Sequence, residues 1–368
     1  MYFGWDVAEL DVPRRRFARS ADSEPLGVAV VGYGYWGPNL ARNVAESADM
    51  VLKALCERDA VAGASFSQRF PGVPVHTELD EVLGDDGIDA VLIATPPATH
   101  HALVKRSLEA GKHVLVEKPL ATTSADALEL VELADRQGLV LMPGHTFVYS
   151  PAVNTVRSLI TEGVVGEVYF ATSARMNLGK YQRDGVVTDL APHDLSILMY
   201  WLDEPVVQVA TSACAVYQEG VPETAFMTLT FASGIKANIQ VSWLAPRKVR
   251  QMVVVGSKRM VQYDDTASDE PVRVYDRGMD LEWDAPASFG EYQLTYRSGD
   301  VIIPRIDAHE PLSLELGDFA RAIRTGSMPR SNAALGLEIV SVLEAADASL
   351  RRNGVPISLG PARDQIAA

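Results

Sequence analysis

Leu26-Gly27-Val28-Ala29-Val30-Val31-Gly32-Tyr33-Gly34-Tyr35-Trp36-Gly37 is the stretch on which the reading of the fold turns. Its first six residues form an apolar, β-branched run of strand length, suited to a strand buried on both faces of a parallel sheet. Gly32, Gly34 and Gly37 follow as G-x-G-x-x-G, and residues 38–47 can form a helix with Pro38 tolerated in its first turn. Alone, three glycines say little. Between a buried strand and a helix they read as a dinucleotide-binding turn. The first glycine makes the tight turn, the second lets backbone approach a pyrophosphate, and the third lets helix and strand pack closely. N–H groups at the helix start then face the phosphates, and Tyr35 and Trp36 belong to the same expected contact.

An acidic residue about 20 positions further on is the second mark of such a site. Glu57 lies 57 − 37 = 20 residues beyond Gly37, just past a second apolar run, 51–56. Its carboxylate can accept hydrogen bonds from ribose hydroxyls and repels a 2′-phosphate, which favours NAD. Arg58 beside it can accommodate that phosphate, so NADP stays open.

Short apolar runs continue at 91–94, 114–116 and 139–142, separated by helical stretches at 61–70, 78–84, 99–110 and 124–137. Alternation of this kind predicts βαβ units and a doubly wound parallel sheet. Ligands in such sheets sit beyond the carboxyl ends of the strands. That places Thr95 and Pro96, His100 at the start of the next helix, and Glu117-Lys118 near the cofactor. Lys118 can hold a substrate hydroxyl or polarise a carbonyl.

After Pro151 the pattern changes. Helices are expected at 151–162 and 188–201, and strands at 166–175, 206–217, 224–232, 235–243, 249–256 and 259–263, with Gly234 in a hairpin turn. Residues 264–310 read as loops or irregular strands, and 312–325 and 332–352 as helices. The expected fold is therefore an α/β Rossmann domain over 25–148, with a parallel doubly wound sheet, and an α+β domain over 149–368 with a large open, mainly antiparallel sheet. Residues 1–24 read as a polar extension and not as a signal peptide.

Asp189-Leu190-Ala191-Pro192-His193-Asp194 holds the second reactive constellation. On a helix Asp189 and His193, four apart, share one face, and a histidine so oriented is a general acid or base near neutral pH. Pro192 prefers a first helical turn. A helix starting near Ala191, with Asp189 as a cap and His193 as a packed residue, is the alternative. The other histidines show no ligand spacing, and no metal is expected. Cys56 and Cys214 read as reduced thiols of a cytoplasmic protein. The 48 acidic and 33 basic residues give a formal charge of −15, which argues against nucleic-acid or membrane partners.

These motifs together resemble the glucose–fructose oxidoreductase/inositol dehydrogenase (Gfo/Idh/MocA) family from about Leu26 to about Leu350. The resemblance rests on Val30 to Gly37, Ala94-Thr95-Pro96-Pro97, Glu117-Lys118-Pro119 and the Asp189…His193 pair. It implies hydride transfer between a nicotinamide and a sugar-like hydroxyl or ketone. It further implies His193 as the proton-transfer residue, Lys118 as the group polarising the substrate oxygen, and Asp189 as a substrate ligand or orienter of the histidine. Homodimers or homotetramers through the open sheet are implied too. Where many members carry a double glycine this chain has Asp184-Gly185-Val186-Val187. The surrounding stretch is similar to members acting on nucleotide-linked or amino sugars, which makes Arg175, Asn177 and Lys180 candidates for holding hydroxyls or a phosphate, with Tyr149 at the domain junction as part of another wall. The alternatives are an NADPH-dependent ketosugar reductase of deoxysugar biosynthesis, an NAD-dependent glycosidase, and a non-catalytic NAD-binding regulator.

Overall fold

The computed structural model describes residues 24–179, 185–281 and 294–360. The first unit runs β1 (Leu26–Val31), α1 (Gly37–Glu46), β2 (Met50–Cys56), α2 (Ala60–Arg69), β3 (Val75–His76), α3 (Leu79–Leu83), β4 (Ala90–Ile93), α4 (His100–Glu109), β5 (His113–Glu117), α5 (Ser124–Gln137) and β6 (Leu141–Gly144). Its six strands are ordered β3-β2-β1-β4-β5-β6 and all pair in parallel, the doubly wound order expected. Strand alternation divides β1 between two cores. Ala29 and Val31 join Val104, Leu108, Leu130 and Val131 on one face. Val28 and Val30 join Leu40, Val44 and Phe66 on the other.

The second unit continues with α6 (Pro151–Thr161), β7 (Val168–Leu178), α7 (Gly185–Leu202), β8 (Val206–Cys214), β9 (Thr224–Phe231), β10 (Lys236–Ser242), β11 (Leu244–Gly256), β12 (Met260–Asp264) and β13 (Val272–Tyr275). A separate hairpin of β14 (Gly278–Leu281) and β15 (Leu294–Arg297) follows, then β16 (Val301–Ile302), α8 (Pro311–Thr325), α9 (Ala333–Arg351) and β17 (Ile357–Ser358). The nine-stranded sheet is ordered β16-β13-β12-β11-β7-β10-β9-β8-β17, and only β7 and β10 pair in parallel. One face packs on α6, α7 and α9. The other leaves Phe170 and Phe226 at 44% and 41% exposed.

Residues 264–310, read as loops or irregular strands, contain four short strands found by pairing with neighbours. Two expectations are corrected. The helix expected at 188–201 begins at Gly185 and carries Pro192 in its interior. Pro192 has no N–H to give the Thr188 carbonyl, and the next carbonyl, of Asp189, accepts from Lys118. Lastly, α8 leaves the second unit and returns to the first sheet. Its Leu312, Leu316 and Phe319 join the core of Val28, Val30 and Leu92, and Glu310 and Arg324 tie its ends to Arg42 and Asp49. That sheet buries both faces, and its own crossover helices leave apolar surface that α8 covers. Meanwhile α9 spans both units, with Leu337 and Val340 in one core and Ile339 and Val342 in the other.

Candidate active site

Gly32 adopts φ +91°, and a Cβ there would meet the Ala94 carbonyl oxygen at 2.7 Å. A Cβ on Gly37 would lie 2.3 Å from the Gly32 oxygen, whereas one on Gly34 would meet nothing within 4 Å. Turn, packing and open approach thus fall on the three glycines as their spacing requires. No side chain caps α1, so its first N–H groups are free of side-chain acceptors. Glu57 bridges the turn to the end of β2: Oε2 accepts from the Tyr33 N–H at 2.6 Å and Oε1 from the Asp59 N–H at 2.8 Å. Arg58 is exposed beside it, as is Tyr35, with Trp36 half-buried. These residues fit an adenine dinucleotide, with an open glycine for the diphosphate and a fixed carboxylate for the ribose.

Thr95 and Pro96 edge the same turn, Thr95 half-buried and Pro96 exposed. His100 does not reach it. It is fully buried, with Nδ1 2.7 Å from the Pro119 oxygen and Nε2 2.8 Å from the Thr95 oxygen. The imidazole lies between the loops after β4 and β5, the second of which carries Lys118. Glu117 also turns inward, toward Gly144. Burial pushes its carboxyl up to about 7, against the pull of the neighbouring Lys118. The His100 and Glu117 side chains are thus both buried.

Lys118 and Asp189 meet as the sequence suggested. The Lys118 ammonium donates to the Asp189 main-chain oxygen at 2.8 Å and lies 3.6 Å from its Oδ1. The other carboxylate oxygen accepts from the Trp243 indole at 3.1 Å. One turn along α7, the His193 ring packs edge-on against Phe147 with centroids 5.0 Å apart. Its Nδ1 is buried without a hydrogen-bond partner among the described residues, which leaves Nε2 as the nitrogen open to a ligand. Burial, and then Lys118, Arg175 and Arg250 nearby, hold His193 well below the usual imidazole range. His193 is therefore neutral at neutral pH and able to accept a proton. His145, beneath Lys118 and buried with neither ring nitrogen bonded among the described residues, is pushed down to about 3 by burial and by Lys118.

The substrate-binding candidates divide. Asn177 is half-buried on β7, two residues beyond Arg175 and so on the same face as α7. Lys180 lies outside the described residues. Tyr149 is 1% exposed; its hydroxyl donates to Asp318 at 2.9 Å and accepts from the Ser331 N–H at 3.1 Å. Arg175 is 2% exposed and grips Asp194 through Nε and Nη2 at 3.0–3.1 Å. Both are scaffold residues, because a buried hydroxyl or guanidinium must find its partner inside the protein. Trp243 and Arg250 stand at the site without having been singled out. Neither lies in a motif, and only strand pairing brings them to Asp189 and Arg175. Among the described residues no cluster of metal-ligating side chains is present, and no helix is long and apolar enough to cross a membrane.

Residues 26–145 match the model of an oxidoreductase family with an NAD-binding Rossmann fold, and residues 153–262 match the GFO/IDH/MocA C-terminal domain. The chain is 26% identical over 228 residues to the inositol 2-dehydrogenase of Corynebacterium glutamicum, covering 60% of this chain and 68% of that one. It is 35% identical over 150 residues to the dTDP-3,4-didehydro-2,6-dideoxy-alpha-D-glucose 3-reductase of Actinomadura kijaniata, covering 40% and 45%. Its fold is similar to that of GenD2 from gentamicin A biosynthesis, solved in complex with NAD, with TM-score 0.76 and 25% identity over 92% of this chain and 97% of that one. With the glycine turn, the lysine loop and the α7 histidine in place across both matched regions, the chain belongs to the Gfo/Idh/MocA family of NAD-binding oxidoreductases.

Proposed function

We propose that this enzyme oxidises a secondary alcohol of a sugar or nucleotide sugar with NAD, using His193 as base. The observation that carries the proposal is the Lys118 ammonium at the carboxyl end of β5 bonded to Asp189, one helical turn before His193, whose imidazole is held below its usual range by burial. When bound, the dinucleotide supplies the hydride acceptor, its pyridinium C4. The substrate hydroxyl whose carbon faced that acceptor would give its proton to Nε2 of His193. Lys118 donates one hydrogen bond to Asp189 and keeps two N–H groups for the substrate oxygen as it becomes a carbonyl. Asp189, steadied by Trp243, holds that ammonium in place. Donors already positioned for the developing charge need no reorganisation during the reaction.

Glu57 supports NAD over NADP, since a carboxylate at the end of β2 would repel a 2′-phosphate bound there. The exposed Arg58 supports a second reading, an NADP-linked ketosugar reductase running the same steps in reverse. The open sheet face around Phe170 and Phe226 supports a homodimer or homotetramer. The free thiols of Cys56 and Cys214 are consistent with a cytoplasmic location. NADH production over a panel of polyols, aldoses and nucleotide sugars tests the reading. Turnover of at least one member, lost in Lys118→Ala, is expected; tight NAD binding with no turnover across the panel would favour a regulator.

A further inference from the structure

Strand β11 breaks register beside the active site. Leu244 pairs with Leu178 and Val249 with Met176, so five steps on β11 face two on β7. Residues 245–248 therefore arch out of the ladder, with Pro246, Arg247 and Lys248 exposed. Bulges of this kind re-aim side chains next to active sites. Both ends of this one are anchored in the site. Trp243, two residues before it, is bonded to Asp189. Arg250, two residues after it, stands opposite Arg175 in the ladder and so shares the face that packs on α7.

Cations are in excess there. Lys118, Arg175 and Arg250 each have a carboxylate, in Asp189, Asp194 and Asp265. Arg247 and Lys248 have no carboxylate partner among the described residues. A second observation points the same way. Arg250 uses Nη1 for Asp265 at 2.8 Å, while its Nε is buried without an acceptor among the described residues. In a chain of formal charge −15, a local surplus of positive groups at the mouth of a site is what an anionic ligand requires.

We infer that the substrate carries an anionic group, a phosphate or a carboxylate, and that Arg247, Lys248 and Arg250 on the β11 bulge bind it. This rests on the proposed sugar oxidation and narrows its substrate class. An ammonium on a flexible stem and two planar guanidinium groups suit phosphate oxygens in particular. Neutral polyols leave that end of the site unmatched.

Titration calorimetry on the full-length protein tests it. With NAD saturating, the dinucleotide's own diphosphate site is filled, and the probes are inorganic pyrophosphate, uridine diphosphate, glucose 1-phosphate, glucuronate and glucose. The anions should bind, weaken with added salt, and weaken by about tenfold or more in the Arg247→Glu, Lys248→Glu double variant. Glucose should bind more weakly than any of them. Uridine diphosphate binding tighter than pyrophosphate assigns a nucleotide-linked sugar, and glucose 1-phosphate matching uridine diphosphate assigns a sugar phosphate. Glucuronate binding alone assigns a sugar acid. Anion binding that is absent, or equal in wild type and variant, overturns the inference. Failure to bind NAD would instead overturn the redox reading, and the same anion titration would still decide the role of the bulge.

Discussion

The Lys118 ammonium lies 2.8 Å from the main-chain oxygen of Asp189, a residue 71 positions away in the sequence. This contact joins the Rossmann sheet to the second unit at the reacting centre. It also fixes the distance between the two proton-handling groups, because His193 follows one turn later on the same helix.

His193→Ala should lower kcat by about 10²–10⁴-fold while leaving the NAD dissociation constant unchanged. The wild-type rate should not decline as pH falls through about 6.5, the ordinary imidazole value, because the folded-state pKa is depressed. A profile of kcat/KM that breaks near that value, with the break gone in His193→Ala, would show that His193 titrates without the depression its burial implies.

Glu57→Gln keeps an acceptor for the Tyr33 N–H but removes the charge. Its NADP dissociation constant should fall by about tenfold relative to that for NAD, read by quenching of protein fluorescence. An unchanged ratio would take cofactor choice away from Glu57.

Glu117 titrates at about 7 in the fold, raised by burial from an ordinary value of 4.5. The folded state holds its proton where the unfolded chain has lost it. The stability this contributes is present in full below about pH 4.5 and is lost as pH rises through about 7. Glu117→Gln should therefore raise the melting temperature at about pH 8 more than at about pH 5, as measured by calorimetry. Equal shifts at both would mean the carboxyl is not protonated in the fold.

Arg175→Ala leaves Asp194, 1% exposed, as an uncompensated buried charge. Denaturant unfolding should show a loss of about 3–5 kcal/mol, largely recovered in an Arg175→Met, Asp194→Leu double variant. Loss of substrate affinity with stability intact would return Arg175 to the substrate site.

Phe170→Glu with Phe226→Lys places charges on the uncovered sheet face. Sedimentation should show wild-type oligomers and a dissociated variant that still binds NAD. A monomeric wild type would remove the assembly.

Some of this was legible in the chain and some was not. The glycine turn could be read because it is local, and Glu57, Lys118 and His193 could be nominated for the same reason. A strand, a turn and a helix lie in consecutive residues, and a strand's carboxyl end is known once the strand is. His100, Glu117, Tyr149 and Arg175 carry the same polar chemistry in equally suggestive places, yet each is buried, and His100, Tyr149 and Arg175 are bonded inward. Trp243 and Arg250 carry no local signal at all.

From its own order of residues the chain determined the alternating strands and helices, the dinucleotide turn and the spacing of Asp189 and His193, since those depend on backbone conformation over a few neighbouring positions. Only the tertiary structure decided which polar groups face the pocket, that α8 covers the first sheet, and that Arg250 stands beside His193. Burial and charge environment are set by whatever packs from distant parts of the polypeptide, and a side chain's protonation and availability follow from that packing.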